Sequence, residues 1–318
     1  MVPEPMAFDI IPHMKLALGA FCAAAYGLVS KKFNYSADII IFFIALTFTV
    51  SALVILYFNN CSITKMMSNI WSGQYLVSGI SYFSALFAFT ISHKILPMSI
   101  IGPFLGTLPM FYSFWEYIFN NNIINFKQGI SYLIAAVGVV IINFSALKRD
   151  IMGNFTKQKM NKYWLGVLSI IFCCFAISFF ILYNTSLEQT LPSDFDFTFQ
   201  QLFGTGLYGL LGITLLLFVK KLGGNMDYTW PSINNMVKLC VSVMCTAFLA
   251  NYLFLVSKPD INPVVYAGMV NLRPLFVIML GVLVLKEKID RNMLIGMLIV
   301  AIGMGLSIYC SETLINVV

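Results

Sequence analysis

Residues 133–138 read Leu-Ile-Ala-Ala-Val-Gly, and residues 298–303 read Leu-Ile-Val-Ala-Ile-Gly. Two further pairs repeat in the same order: Lys15-x-x-Leu18-Gly19 returns as Lys162-x-x-Leu165-Gly166, and Leu108-Pro109 returns as Arg273-Pro274. The chain is therefore predicted to consist of two related halves. If each half crosses a membrane an odd number of times, the second half must be inverted relative to the first, as in the inverted repeats of several membrane proteins.

The composition places the chain in a membrane. Of its 318 residues, 59% are hydrophobic and 10% are charged, and the mean hydropathy is +0.87, which leaves too little polar surface to coat a soluble globule. A helix of about 20 apolar residues crosses roughly 30 Å of hydrocarbon. Such stretches, numbered here as spans one to ten, are predicted at 10–30, 37–58, 72–93, 97–119, 124–146, 162–184, 197–219, 231–256, 261–285 and 291–310.

The predicted fold class is thus an all-α integral membrane protein with about ten transmembrane helices in two inverted five-helix repeats. The first repeat is expected to occupy residues 1–147, a polar linker residues 148–161, and the second repeat residues 162–318. Five helices is an odd number, so this division inverts the second repeat.

Basic residues accumulate on one side of this topology, which we name the Lys-rich face. It comprises the loops that follow spans one, three, five, seven and nine, whereas the opposite side holds only Lys15, Lys65, Lys127 and Lys258. By the positive-inside rule the Lys-rich face is cytosolic and both termini are non-cytosolic. A multi-pass protein of a plasma or inner membrane is favoured over an organellar one. The net charge of +6 arises in these loops, so it does not indicate a nucleic-acid partner.

The last two spans carry a recognisable pattern. Span nine begins at Pro263 and contains Arg273-Pro274, and Glu287 follows it. Span ten bears Gly296 and Gly303, and Pro97, Pro109 and Gly138 are counterparts in the first half. This pattern resembles the drug/metabolite transporter superfamily, in particular its EamA-like branch. The resemblance implies a central cavity lined chiefly by spans one, three, four, six, eight and nine. Asn122 stands where the first half would be expected to carry the acidic residue that matches Glu287.

Arg273 is the strongest candidate for a substrate-binding residue. It lies near the middle of span nine, where a charged side chain is costly and needs an anion or a wet cavity. Its guanidinium could clamp a carboxylate or a phosphate through two parallel hydrogen bonds. The following Pro274 is expected to break the helix and free a carbonyl. The structural alternative is an internal partner that fixes span nine against its neighbours.

Two other ionisable residues within predicted spans are candidates for function. Lys238 shares a helical face with Asn234, four residues earlier, and this pair either lines the cavity or lets the lysine snorkel to the interface. Glu116 follows Trp115 near the end of span four. It is a candidate proton carrier for coupling, although membership of an interfacial aromatic belt is the favoured interpretation.

Prolines suggest where helices break and where gating would occur. Pro97, Pro103 and Pro109 recur at six-residue intervals, so span four cannot be a regular helix throughout. Together with Pro263 and Pro274 they are predicted gating or helix-break positions, although kinks that merely fit neighbouring spans explain them equally well. Lesser substrate-binding candidates on cavity-type spans are Tyr26, Gln74, Tyr75, Tyr82 and Asn184.

The chemistry of an enzyme is absent from the sequence. Only two histidines occur, and there is no phosphate-binding loop, so we expect no catalytic site, no metal site and no cofactor. The predicted function is secondary transport of a small organic metabolite by alternating access, with an amino acid, an organic acid or a phosphorylated or nucleotide-linked compound as substrate. The expected partners are that substrate, a coupling proton and membrane lipids. The alternatives are a passive channel or scramblase, and a scaffold or receptor with the same fold.

Overall fold

The computed structural model describes residues 10–58, 73–121, 124–150, 157–190, 195–223, 230–257, 270 and 272–315. These residues form helices and contain no strand. The helices are α1 (Ile10–Lys32), α2 (Ala37–Phe58), α3 (Gln74–Ile95), α4 (Met98–Leu105), α5 (Leu108–Asn120), α6 (Phe126–Asp150), α7 (Lys157–Thr190), α8 (Phe195–Leu222), α9 (Ile233–Val243), α10 (Leu249–Ser257), α11 (Arg273–Leu283) and α12 (Arg291–Ile315).

Seven stretches of these helices are long and apolar enough to cross a membrane, and they correspond to spans one, two, three, five, six, seven and eight. Span four is divided between α4 and α5, and the described helices of spans nine and ten are α11 and α12. The prediction of an all-α membrane protein with about ten spans is therefore confirmed.

Span four is interrupted just before Pro109, whereas Pro103 lies inside α4. Pro97 caps α4, and a turn at Gly106 and Thr107 separates α4 from α5. Pro109 lies in the first turn of α5, where a missing N–H costs nothing because those donors have no partner within the helix. Pro274 takes the equivalent place in the first turn of α11. Pro274 thus lies at the start of α11, whereas the sequence suggested that it would break a helix and free a carbonyl group.

Span eight contains a feature that the sequence did not predict. A π-helical turn at Met244–Phe248 separates α9 from α10. Such a turn inserts one extra residue into a helix and occurs frequently at functional sites. It changes the direction in which α10 presents its side chains, among them Asn251.

The spans pack in a regular scheme. Span two packs on seven, four on nine and five on ten, while span three packs on six and span one on eight. Glycines of the repeated motif allow the closest of these approaches. A β-carbon at Gly138 would lie 2.7 Å from the Gly296 carbonyl oxygen, and one at Gly303 would lie 2.7 Å from the Ala135 nitrogen. These positions explain why a small residue recurs at the end of both copies of the motif.

Polar contacts gather on the Lys-rich face. Lys220 forms a 2.6 Å ion pair with the buried carboxylate of Asp38, which joins α8 to α2. The Lys94 ammonium donates to the Phe33 carbonyl oxygen at 3.3 Å, which joins α3 to the end of α1. The ends of spans one, two, three and seven are thereby connected at one face of the bundle.

Candidate functional site

Arg273 lies at the start of α11, where span nine passes the interior of the bundle. Its guanidinium carbon is 4.8 Å from the centre of the Phe89 ring, which is a cation–π contact. Its Nε atom is buried and has no hydrogen-bond partner, although the residue as a whole is only partly enclosed. No carboxylate among the described residues pairs with it. A permanent charge is thus presented to the interior without an anion from the described part of the chain.

Aromatic and hydroxyl groups surround this arginine. The ring of Tyr26, on α1, stacks on Phe89 with centroids 5.8 Å apart, and its hydroxyl lies 2.6 Å from the Thr90 hydroxyl on α3. The cysteines of α7, Cys173 and Cys174, are buried and lie close enough to Arg273 for electrostatic interaction. The candidate site therefore combines the cation of span nine with aromatic rings and hydroxyl groups of spans one and three and with the thiols of span six.

A second polar contact lies further along α3. The Asn251 amide donates to the Tyr82 hydroxyl at 2.5 Å and to the Ala247 carbonyl oxygen at 2.7 Å. Ala247 belongs to the π-helical turn, so this turn positions Asn251 toward α3. Tyr82 also packs on Phe180 of span six, with centroids 4.8 Å apart. Sequence reasoning missed Asn251, although an amide inside the apolar span eight was a signal that could have identified it.

Buried neutral polar side chains also contact one another between α3, α7 and α8. The Ser78 hydroxyl donates to the Asn184 side-chain oxygen at 3.0 Å and lies 3.4 Å from the Thr205 hydroxyl. The Asn184 amide nitrogen and both polar atoms of Gln201 are buried without a hydrogen-bond partner. Of these residues the sequence had singled out Asn184 alone.

The other predicted substrate-binding residues have varied positions. Lys238 and Asn234 are exposed on α9, and neither has a described contact with the groups around Arg273. Tyr75 is buried against Gly204 of span seven, where a β-carbon would lie 3.0 Å from its ring. Pro263 and the side chain of Gln74 lie outside the described residues. The structure thus stacks Tyr26 on Phe89, the ring that Arg273 contacts, and brings Tyr82 within electrostatic range of Arg273, whereas Lys238 and Asn234 are exposed elsewhere.

Glu116 lies among aromatic rings at the end of α5. Its carboxylate accepts a hydrogen bond from the Asn120 amide at 3.1 Å and lies within hydrogen-bonding reach of Tyr112. The neighbouring Trp115 packs on Phe175 of span six and donates to its carbonyl oxygen at 3.0 Å. These surroundings fit the aromatic-belt interpretation, in which Glu116 is hydrogen bonded near the interface.

A groove of about 320 Å³ lies between α3 and α7. Its walls are mainly Phe87, Ile91, Leu168 and Phe172, with two serines, and Arg273 is not among its lining residues. Apolar walls open to the outside suit acyl chains better than a polar solute. The interior around Arg273 is the candidate that the charge of this residue favours.

The chain resembles known proteins in part of its sequence and in its fold. Residues 11–144 match the EamA-like transporter family, which confirms the resemblance to the drug/metabolite transporter superfamily over that region. No curated protein sequence is significantly similar to the chain. A crystal structure of another protein has a similar fold, with a TM-score of 0.62, 12% identity, and coverage of 96% of this chain and 97% of that one.

Proposed function

We propose, from the match of residues 11–144 to a family of membrane transporters, that this chain is a secondary transporter that moves a small organic metabolite with an anionic group. The single observation that carries the anionic group is Arg273, which enters the interior without a described carboxylate partner. A charge in such a place is tolerated when a partner anion or a wet cavity stabilises it. In our proposal the substrate is that anion.

The surroundings of Arg273 support a substrate with an apolar body. Phe89 and Tyr26 provide stacked rings beside the guanidinium, and the hydroxyls of Tyr26 and Thr90 provide neutral hydrogen-bonding groups. An amino acid, an organic acid or a phosphorylated or nucleotide-linked metabolite meets these requirements. A ligand site of this kind has mostly apolar walls and few polar groups that fix orientation.

The packing of the spans supports two inverted repeats with a linker at 148–161. A two-fold axis that exchanges spans one to five with spans six to ten maps the contacts of two with seven, four with nine and five with ten each onto itself. The same axis maps the contact of span three with span six onto the contact of span eight with span one. All five contacts are present. In our proposal, rocking of these repeats exposes the Arg273 region to each side in turn, with the Lys-rich face in the cytosol and both termini outside.

The substrate is best sought by ligand-induced stabilisation of the purified protein with a library of anionic metabolites. A hit is then tested in proteoliposomes by counterflow, in which unlabelled substrate inside accelerates uptake of labelled substrate. Saturable, trans-stimulated uptake is expected of a carrier. Uptake that neither saturates nor responds to internal substrate would instead indicate a channel or scramblase. Absence of any ligand-induced stabilisation and of any uptake would favour a scaffold or receptor role.

A further inference from the structure

Glu287 occupies a well-defined position between spans nine and ten. Its carboxylate accepts hydrogen bonds from the backbone N–H of Met98, at 2.8 Å to Oε1, and from that of Ser99, at 2.8 Å to Oε2. The Lys31 ammonium donates to Oε1 at 3.2 Å. Both oxygens are thereby used, and the carboxylate caps the first turn of α4, where the partial positive charge of the helix favours an anion.

These contacts cross the bundle at the Lys-rich face. Lys31 ends span one, Met98 begins span four, and Glu287 follows span nine. The packing beneath is tight, since a β-carbon at Gly281 would lie 2.9 Å from Glu287 Oε2 and 3.0 Å from the Met98 β-carbon. A β-carbon at Gly27 of span one would lie 2.4 Å from the buried His93 ring. Spans one, three, four and nine are therefore closely packed at the Lys-rich face.

The two halves of the sequence differ at the position of this carboxylate. The position that matches Glu287 in the first half is Asn122, a neutral residue. An inverted repeat places such matching positions at opposite faces of the membrane. The charge-assisted contacts made by Glu287 consequently have no carboxylate counterpart at the matching position of the first half, and charge-assisted hydrogen bonds are roughly twice as strong as neutral ones.

We propose that Glu287, Lys31 and the first turn of α4 form an electrostatic gate that keeps the central site closed on the Lys-rich side and must open once in each transport cycle. This inference rests on the proposed transport function, because a gate presupposes access that alternates. The gate biases the resting protein toward the state that is closed on the Lys-rich side. Substrate then opens it only by binding the other state more tightly.

The charge of Glu287 is maintained while the gate is closed. Burial by itself would raise the pKa of this carboxyl, but the backbone N–H groups of Ser99 and Met98 and the Lys31 ammonium outweigh burial and hold the pKa below its usual value. Other charged groups nearby are Lys286 and Lys288 on the same loop, and the His93 ring faces Lys31 from α3. A lowered pKa in the closed state stabilises that state at neutral pH. The stabilisation is lost as pH falls through the lowered pKa, so strong acid is expected to open the gate.

The test uses two native cysteines as reporters, because Cys173 and Cys174 are buried beside Arg273. Protein in sealed vesicles is exposed to a membrane-impermeant maleimide on the Lys-rich side only, and mass spectrometry measures the labelling rate of each cysteine. Glu287→Gln loses the charge and the lysine pair, so labelling of Cys173 should accelerate at least about tenfold, as expected for one lost charge-assisted bond. Lys31→Met should accelerate it less, because both backbone bonds remain.

Lys94→Met is the matched control, since it removes the Lys94–Phe33 hydrogen bond on the same face without touching Glu287 and without leaving a buried charge unpaired. This variant should label like the wild type. Labelling of Glu287→Gln and Lys31→Met at the wild-type rate would overturn the gate, and so would equal acceleration in the Lys94→Met control. If Glu287→Gln does not fold, the comparison of Lys31→Met with the control decides alone. The assay needs no substrate, so a failure to find transport leaves its outcome interpretable.

Discussion

Replacement of Arg273 separates a substrate-binding role from a structural one. If an internal carboxylate neutralised the guanidinium, its removal would leave a buried charge unpaired and destabilise the protein by roughly 3–5 kcal/mol. The described residues contain no such carboxylate near Arg273, and its main contact is the ring of Phe89. Loss of a cation–π contact costs about 0.5–2 kcal/mol. We therefore expect Arg273→Ala to change the melting temperature only slightly.

The effect on substrate binding should be much larger. Each hydrogen bond to a charged partner contributes about 1.5–3 kcal/mol, and a bidentate clamp makes two. Removal of both corresponds to a loss of roughly 3–6 kcal/mol, or more than a hundredfold in affinity. Arg273→Lys keeps the charge but not the planar fork, so it should retain part of the affinity while leaving insertion near normal.

The measurement is a pair of values for each variant: the melting temperature of the free protein and the shift caused by the best anionic hit. Arg291→Ala is the control, because Arg291 is an exposed arginine at the start of α12. A stable Arg273→Ala protein that binds its ligand with wild-type affinity would reject Arg273 as a binding residue. A large fall in melting temperature in both Arg273 variants would show instead that the guanidinium has a structural partner.

Three further predictions test the remaining features. If Glu116 carries a proton, Glu116→Gln should abolish the pH dependence of net transport while exchange of internal for external substrate continues; an unchanged pH profile would assign it to the aromatic belt. For the topology, impermeant labelling of intact cells should fail at Ser36→Cys and succeed at Lys127→Cys, and the reverse result would invert the orientation. Asn251→Leu leaves the buried Tyr82 hydroxyl without its hydrogen-bond partner and should lower the free energy of unfolding by about 1–3 kcal/mol. In the double variant, Tyr82→Phe removes that hydroxyl and should restore most of the loss. Additive losses in the double variant would show that the two side chains do not interact.

Much of the architecture could be predicted because it follows from local sequence. Apolar stretches of sufficient length specify helices that cross the membrane, and the proline spacing specified the division of span four into α4 and α5. The π-helical turn at Met244–Phe248 could not be predicted. It depends on how the extra residue packs against neighbouring spans, and no residue type marks it in the sequence.

The site was only partly predictable for a related reason. A charged residue inside an apolar span is conspicuous, so Arg273 could be singled out from the sequence. Its neighbours are ordinary residues for a membrane helix, such as Phe89 and Thr90, and their role appears only when spans three and nine are packed together. Lys238 was equally conspicuous but is exposed on α9. The sequence shows that a charged residue lies within an apolar span. Only the packing of the helices decides whether that side chain lies in the interior or on the surface.

The two halves share their proline positions but differ in the charged residues near them. Leu108-Pro109 starts α5, and Arg273-Pro274 starts α11, so both halves begin a helix with a proline in its first turn. Only the second repeat places a charge there, and only the second repeat has a carboxylate, Glu287, after its helix. The proposed alternating access requires this backbone symmetry, because each half must be able to take the conformation of the other. In that proposal, Arg273 at the centre selects the substrate, and Glu287 at the Lys-rich face sets which side is closed at rest.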